Sequence, residues 1–139
     1  MTRSENMSKV KNKNTKLEVY IRKLLWHEGF RYRTNYKNLP GKPDIYLPKY
    51  KTAIFVNGCF WHMHEDCKFS TVPRTNYDFW KAKLEGNVER DGKNYKELKD
   101  MGINVIVVWG CEIKEMIKDY NKERNTIHRL TLEIVERLS

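Results

Sequence analysis

The chain has 139 residues, enough for one compact domain and too few for two ordinary ones. Apolar residues make up 40% and charged residues 32%, a mix that excludes a collagen-like fibre, a fully disordered chain and a membrane span. Lys and Arg number 27 against 18 Asp and Glu, and the resulting +9 suits a polyanionic partner, DNA or RNA above a membrane surface.

Residues 1–14 read as a flexible basic arm, since Lys9, Lys11 and Lys13 offer no core face. The arm lacks the apolar stretch of a signal peptide, and three cysteines are an odd number. A cytoplasmic protein with free thiols or metal-bound cysteines is expected, not a disulfide framework. Residues 15–139 read as a single domain. Thr15 and Glu18 form a T-x-x-E box ahead of Leu17, Ile21, Leu24 and Leu25 at helical spacing, with Gly29 as C-cap. Phe30–Tyr36 alternates weakly as a strand. Leu39–Pro43 is a turn, and Asp44–Leu47 a short strand after proline. Thr52–Val56 is an apolar run covered on both faces. Asn57–Pro73 is irregular. Thr75 and Asn76 cap a helix carrying Phe79, Trp80 and Leu84. A helical stretch around Val88, Tyr95 and Leu98 follows, its start weakened by Gly86 and Gly92 and its end at Gly102. Ile103–Trp109 is a second buried strand. Glu112–Ser139 forms one or two helices with Ile127, Leu130, Ile134 and Leu138 on a stripe. The order predicts an α/β fold, a mixed central sheet flanked by helices.

The chemistry concentrates in Cys59–Cys67, C-F-W-H-M-H-E-D-C. Cys111 follows the second buried strand. If the two strands are parallel neighbours, Cys59 and Cys111 emerge at the same end. Cys59, His64, Cys67 and Cys111 then make a Cys3His set, which suits a structural Zn²⁺. The alternative is three thiols buried as small hydrophobes. Either His62 or His64 could take the metal, and the other is left as an imidazole fit for acid–base work. Asp44 at a strand start beside a second strand fits a carboxylate holding Mg²⁺ at a scissile phosphate. Phe60, Trp61 and Trp80, with Lys81 and Lys83 nearby, suit stacking on bases or wedging between base pairs. The alternative is a local apolar cluster that seals the loop.

Four motifs, P-G-K-P-D at Pro40–Asp44, G-C-F-W-H at Gly58–His62, N-V-E-R-D at Asn87–Asp91 and V-V-W-G-C at Val107–Cys111, resemble the very short patch repair (Vsr) DNA mismatch endonucleases. The resemblance runs from about Arg3 to Cys111. It implies a restriction-endonuclease-like core with a structural zinc site, and a Mg²⁺-dependent hydrolase that nicks one strand next to the T of a T·G mismatch left by deaminated 5-methylcytosine. By the same resemblance, Asp44 and the backbone carbonyl of Val56 hold Mg²⁺, His62 is the general base, and Glu18 is a supporting acid. Cys59, His64, Cys67 and Cys111 are the zinc ligands. Phe60, Trp61 and Trp80 form the wedge, Met7 inserts from the opposite groove, and Lys83 and Asn87 lie near the mispaired bases. Double-stranded DNA is the implied partner of a monomer, with mismatch-repair proteins and a cytosine methyltransferase by analogy.

Three departures stand out. Phe55-Val56-Asn57 replaces the D/E-x-K common in restriction-type sites, and Asn57 stands where a relative has a second active-site histidine. An extra residue also lies between His64 and Cys67. Two rival functions remain at this point. One is a restriction-type endonuclease of the same fold on other DNA. The other is a non-catalytic, zinc-stabilised DNA-binding module, which leaves Asp44 and His62 without a role.

Overall fold

The structure, a computed structural model, describes residues 15–136. The proposed arm over 1–14, with Met7, and Leu138 at the other end lie outside the described residues. In chain order the elements are α1 (Thr15–His27), β1 (Arg33–Thr34), β2 (Ile45–Leu47), a 3-10 turn (Pro48–Tyr50) and β3 (Thr52–Asn57). A second 3-10 turn (Lys68–Ser70), α2 (Tyr77–Asp100), β4 (Asn104–Trp109), α3 (Gly110–Lys118) and α4 (Tyr120–Val135) complete the chain. No helix among the described residues is long and apolar enough to cross a membrane.

The four strands form one mixed sheet in the order β1-β2-β3-β4. β1–β2 and β2–β3 are antiparallel, whereas β3 and β4 run parallel from Thr52↔Asn104 to Asn57↔Trp109. Side chains alternate along a strand, so β3 feeds two cores. Ile54 and Val56 join Ile106 and Val108 beneath Leu17, Ile21, Leu25, Ile113, Met116, Ile127, Leu130 and Ile134, the inner faces of α1, α3 and α4. Ala53 and Phe55 face the other way, onto Leu98, Ile103 and Tyr95. Helices therefore cover both faces of the sheet, as the element order predicts. Each fully buried Leu or Ile contributes about 1.5–3 kcal/mol, so these two layers carry the fold.

Several local expectations are corrected. α1 begins at Thr15, whose side chain lies outside what is described, and Glu18 pairs with Arg22 at 3.0 Å. The strand expected over Phe30–Tyr36 shrinks to Arg33–Thr34, because Phe30 turns into the core instead of joining the ladder. β2 begins at Ile45, one residue after Asp44. The two helical stretches after Asn76 are one 24-residue helix. Gly86 and Gly92 do not break it; neither meets another side chain, and the burial of Trp80, Leu84 and Leu98 holds its length. Asn76 takes the cap position in a left-handed conformation, without a side-chain cap bond. The C-terminal part is two helices divided at Asp119, whose carboxylate accepts from the Asn121 and Lys122 N–H groups and so caps α4.

Candidate active site and metal cluster

The end of a parallel strand pair is where loops diverge and a cleft opens. β3 and β4 finish together at Asn57 and Trp109. A cavity of about 300 Å³ opens there, lined among others by Asp44, Val56, Asn57, His62, Arg90 and Asp91. Asp44 is buried, and its Oδ2 accepts a 2.7 Å hydrogen bond from the Val56 N–H. The turn before it needs glycine: Gly41 has φ +78°, and a Cβ there would come within 3.1–3.2 Å of Asn94 and Phe55.

His62 reaches the cavity from the loop after β3. Its Nδ1 pairs with the Asp91 carboxylate, and both side chains are about four-fifths buried, at 20% and 23% exposure. Asp91 was not among the residues expected to act. Asn87, Asp91 and Tyr95 recur every fourth position on α2 and interrupt a stripe that is apolar at Leu84 and Leu98. That interruption was the available signal. Asn87 Nδ2 donates to the Trp61 carbonyl at 3.1 Å, Asp91 holds His62, and Tyr95 meets Asn57 at 2.8 Å. Burial pushes the Tyr95 phenol up to about 12, with the Asn57 bond opposing and the Asp91 and Asp44 charges adding. It is therefore a neutral hydroxyl at neutral pH.

Cys59, His64, Cys67 and Cys111 come together as the parallel pairing predicts. Their ligand atoms all lie within 4.8 Å of one another. Cys111 Sγ is 3.4 Å from His64 Nδ1, and the Cys111 N–H points to Cys59 Sγ at 3.4 Å. A tetrahedral Zn²⁺ with ~2.3 Å bonds to sulfur has ligand–ligand edges of about 3.8 Å, so the donor set and its spacing fit that ion with small closure. Burial pushes the Cys59 thiol up and the Cys111 thiol to about 12. At Cys67 burial is outweighed by the Phe69 N–H and the neighbouring thiols, with Lys114 adding, and its thiol is lowered. The His64 ring stacks on Trp109 at 4.0 Å. The loop around His64 is tight, with Met63 and Asp66 at φ of 47° and 53°. Between the two histidines, then, His64 joins the thiols and His62 faces the cavity.

The expected wedge residues are packed together. Trp61 and Trp80 are buried with Leu84, and Phe60 is half-buried against them. Both indole N–H groups are buried with no hydrogen-bond partner among the described residues. Lys83 Nζ lies 5.8 Å from each indole centroid. Glu18 is buried on α1 beside Arg22 and does not line the cavity.

Residues 1–68 match the family model described as DNA mismatch endonuclease Vsr. The chain is 50% identical over 132 residues to the type II nicking enzyme V.NmeAIP of Neisseria meningitidis, covering 95% of this chain and 91% of that protein. An alignment of that length extends into the segment after Cys111. It is 41% identical over 110 residues to the type II nicking enzyme V.XorIIP of Xanthomonas oryzae, covering 79% and 80% of the two chains. It is also 38% identical over 113 residues to DNA mismatch endonuclease Vsr of Escherichia coli, covering 81% and 72%.

Proposed function

The chain belongs to the DNA mismatch endonuclease Vsr family, and from that premise we propose that it nicks one DNA strand beside the thymine of a T·G mismatch, on a restriction-endonuclease-like core, with Mg²⁺ at Asp44 and a structural Zn²⁺ at the cysteine cluster. As a member it is a DNA endonuclease that works in mismatch repair or nicking. The observation that carries the finer reading is the meeting of Asp44 and the His62–Asp91 pair on one cavity.

The chemistry follows from those side chains. An acceptor at Nδ1 selects the tautomer with its proton there, and leaves Nε2 to take a proton from water as it attacks phosphorus. Asp91 also stabilises the imidazolium that this transfer creates. Asp44 and the Val56 carbonyl would hold a divalent cation, which supplies charge neutralisation at the scissile phosphate. Lys42 and Arg90 line the same cavity and add positive charge for the incoming backbone. Cys59, His64, Cys67 and Cys111 would close a tetrahedron around zinc and fix the loop that bears His62.

Discrimination rests on the aromatic cluster. Phe60, Trp61 and Trp80 can leave their packed state without breaking an indole hydrogen bond, since neither has one. Unstacking a base step costs a few kcal/mol, less at a wobble pair, so insertion favours mispaired duplex. Lys83 and Asn87 lie against Trp61, which supports giving them the contacts to the mispaired bases.

The test is a strand-specific nicking assay on a panel of mismatched and matched duplexes, with and without Mg²⁺. The proposal expects Mg²⁺-dependent cleavage of one strand at T·G. Cutting of fully matched duplex at equal rate supports the restriction-type reading, and loss of cutting in neither Asp44→Asn nor His62→Ala removes the assigned site.

A further inference from the structure

Asn57 is the last residue of β3 and is 4% exposed. It shares the face of Ala53 and Phe55, which the alternation of the strand turns toward α2. Its side chain meets Tyr95 there, Nδ2 to hydroxyl, at 2.8 Å, and this is its hydrogen bond among the described residues. The carboxamide has two donors and one acceptor. One donor is spent on Tyr95, which leaves an N–H and the carbonyl oxygen at the edge of the cavity that Asp44 and His62 share.

Tyr95 is itself fixed. Its ring packs edge-on against Phe55, with centroids 5.0 Å apart, and it sits one turn beyond Asp91 on the same face of α2. The cavity already holds two carboxylates, Asp44 and Asp91, and must accept a phosphodiester. A neutral donor aimed at a non-bridging oxygen adds attraction without a charge that changes when His62 takes its proton. Such a donor is useful only if the side chain that carries it is held in place at the cavity edge.

We propose that Asn57 donates a hydrogen bond to the scissile phosphate, and that Tyr95 is a positioning residue whose hydroxyl anchors the Asn57 carboxamide at the edge of the cavity. The assignment rests on the active-site reading above. It gives α2 two catalytic settings, His62 through Asp91 and Asn57 through Tyr95.

The experiment is a double-mutant cycle on the full chain, using single-turnover nicking of the mismatched duplex that the parent cuts fastest, with duplex affinity measured alongside. Tyr95→Phe keeps the ring on Phe55 and removes the hydroxyl. It is expected to slow nicking about 10-fold, as for loss of one aligned hydrogen bond, with affinity within about 3-fold. Asn57→Ala is expected to slow nicking about 30- to 100-fold, and adding Tyr95→Phe to it should cost nothing more. Asn57→Asp keeps the shape but removes the donor and adds charge, and should be slower than Asn57→Ala; it serves also if the alanine variant does not fold. Multiplicative effects in the cycle, parent-like nicking by Tyr95→Phe, or Asn57→Asp at the parent rate would each overturn the proposal. Asp44→Asn is run beside them. If it nicks normally, the active-site reading itself falls; if it is inactive while the cycle is multiplicative, only the Tyr95 assignment falls.

Discussion

Asp91→Asn isolates the charge behind His62 with almost no change of shape. The backbone should not respond, because Leu84 and Leu98, on either side of Asp91 along α2, are fully buried. Two things change. An amide can accept from Nδ1–H or donate to a bare Nδ1, so it no longer selects the tautomer that leaves Nε2 free. The imidazolium formed during attack also loses its counter-charge. Opposite charges ~4 Å apart attract by about 4 kcal/mol at an effective dielectric of ~20. With the two side chains 20% and 23% exposed, screening trims that to about 2–3 kcal/mol. In rate this is about 30- to 160-fold. The assay is single-turnover nicking of a T·G duplex at saturating Mg²⁺, with affinity for uncut duplex measured separately. Affinity should stay within a few fold, since Asp91 repels phosphate and does not bind it. A nicking rate within 3-fold of the parent would show that the carboxylate does not serve His62 in the reaction.

Three further outcomes are expected. Asp44→Asn should slow nicking by about 10³-fold or more while mismatched-duplex affinity stays within a few fold, read by the same assay; unchanged nicking would remove Asp44 from the mechanism. Cys111→Ser should lower zinc per chain, measured by atomic emission, and the thermal midpoint together, because metal binding is folding free energy in such clusters; a full zinc complement would refute the Cys3His assignment. Trp61→Ala should cost about 3–5 kcal/mol in denaturant unfolding, as a buried indole does, and should also reduce the preference for mispaired over paired duplex; equal preference in the variant would make the cluster packing alone.

The parallel core was readable because T-A-I-F-V and I-N-V-I-V-V-W are too apolar to face water on either side. That pairing carried the cysteine cluster with it, since Cys59 and Cys111 each follow one of the strands. β1 was readable only as the longer stretch Phe30–Tyr36, and its bounds were not. Its two residues are exposed and owe their extension to pairing with Ile45 and Tyr46. The continuous α2 was obscured by two glycines. Each costs about 1 kcal/mol in a helix, which the buried Trp80 and Leu84 on one side and Leu98 on the other more than offset. Asp91 was hidden for a different reason. A lone carboxylate on a helix looks like a solvated charge until its partner, 29 residues away in the chain, is seen beside it.

The cysteine cluster and His62 are linked through the loop they share. His62 lies between Cys59 and His64, so two members of the candidate ligand set bracket it at distances of three and two residues. The backbone there is held by His62 N–H to the Gly58 carbonyl at 3.2 Å and His64 N–H to the Cys59 carbonyl at 3.0 Å. The Ser70 hydroxyl sits 2.7 Å from the His64 carbonyl and 2.8 Å from that of Cys67, donating to one at a time. Against these bonds stand Met63 and Asp66 in left-handed conformations, which cost roughly 1–2 kcal/mol each. In the proposed reading, a metal held by the three thiols and His64 would oppose that cost, on the residues next to His62. Releasing Cys111 should therefore loosen the imidazole from Asp91 before it disturbs the sheet, whose strands are held by Ile54, Val56, Ile106 and Val108. In the Cys111→Ser protein, nicking should be lost at temperatures where the folded signal is still full, and that order of events separates a tether of the active site from a prop of the whole fold.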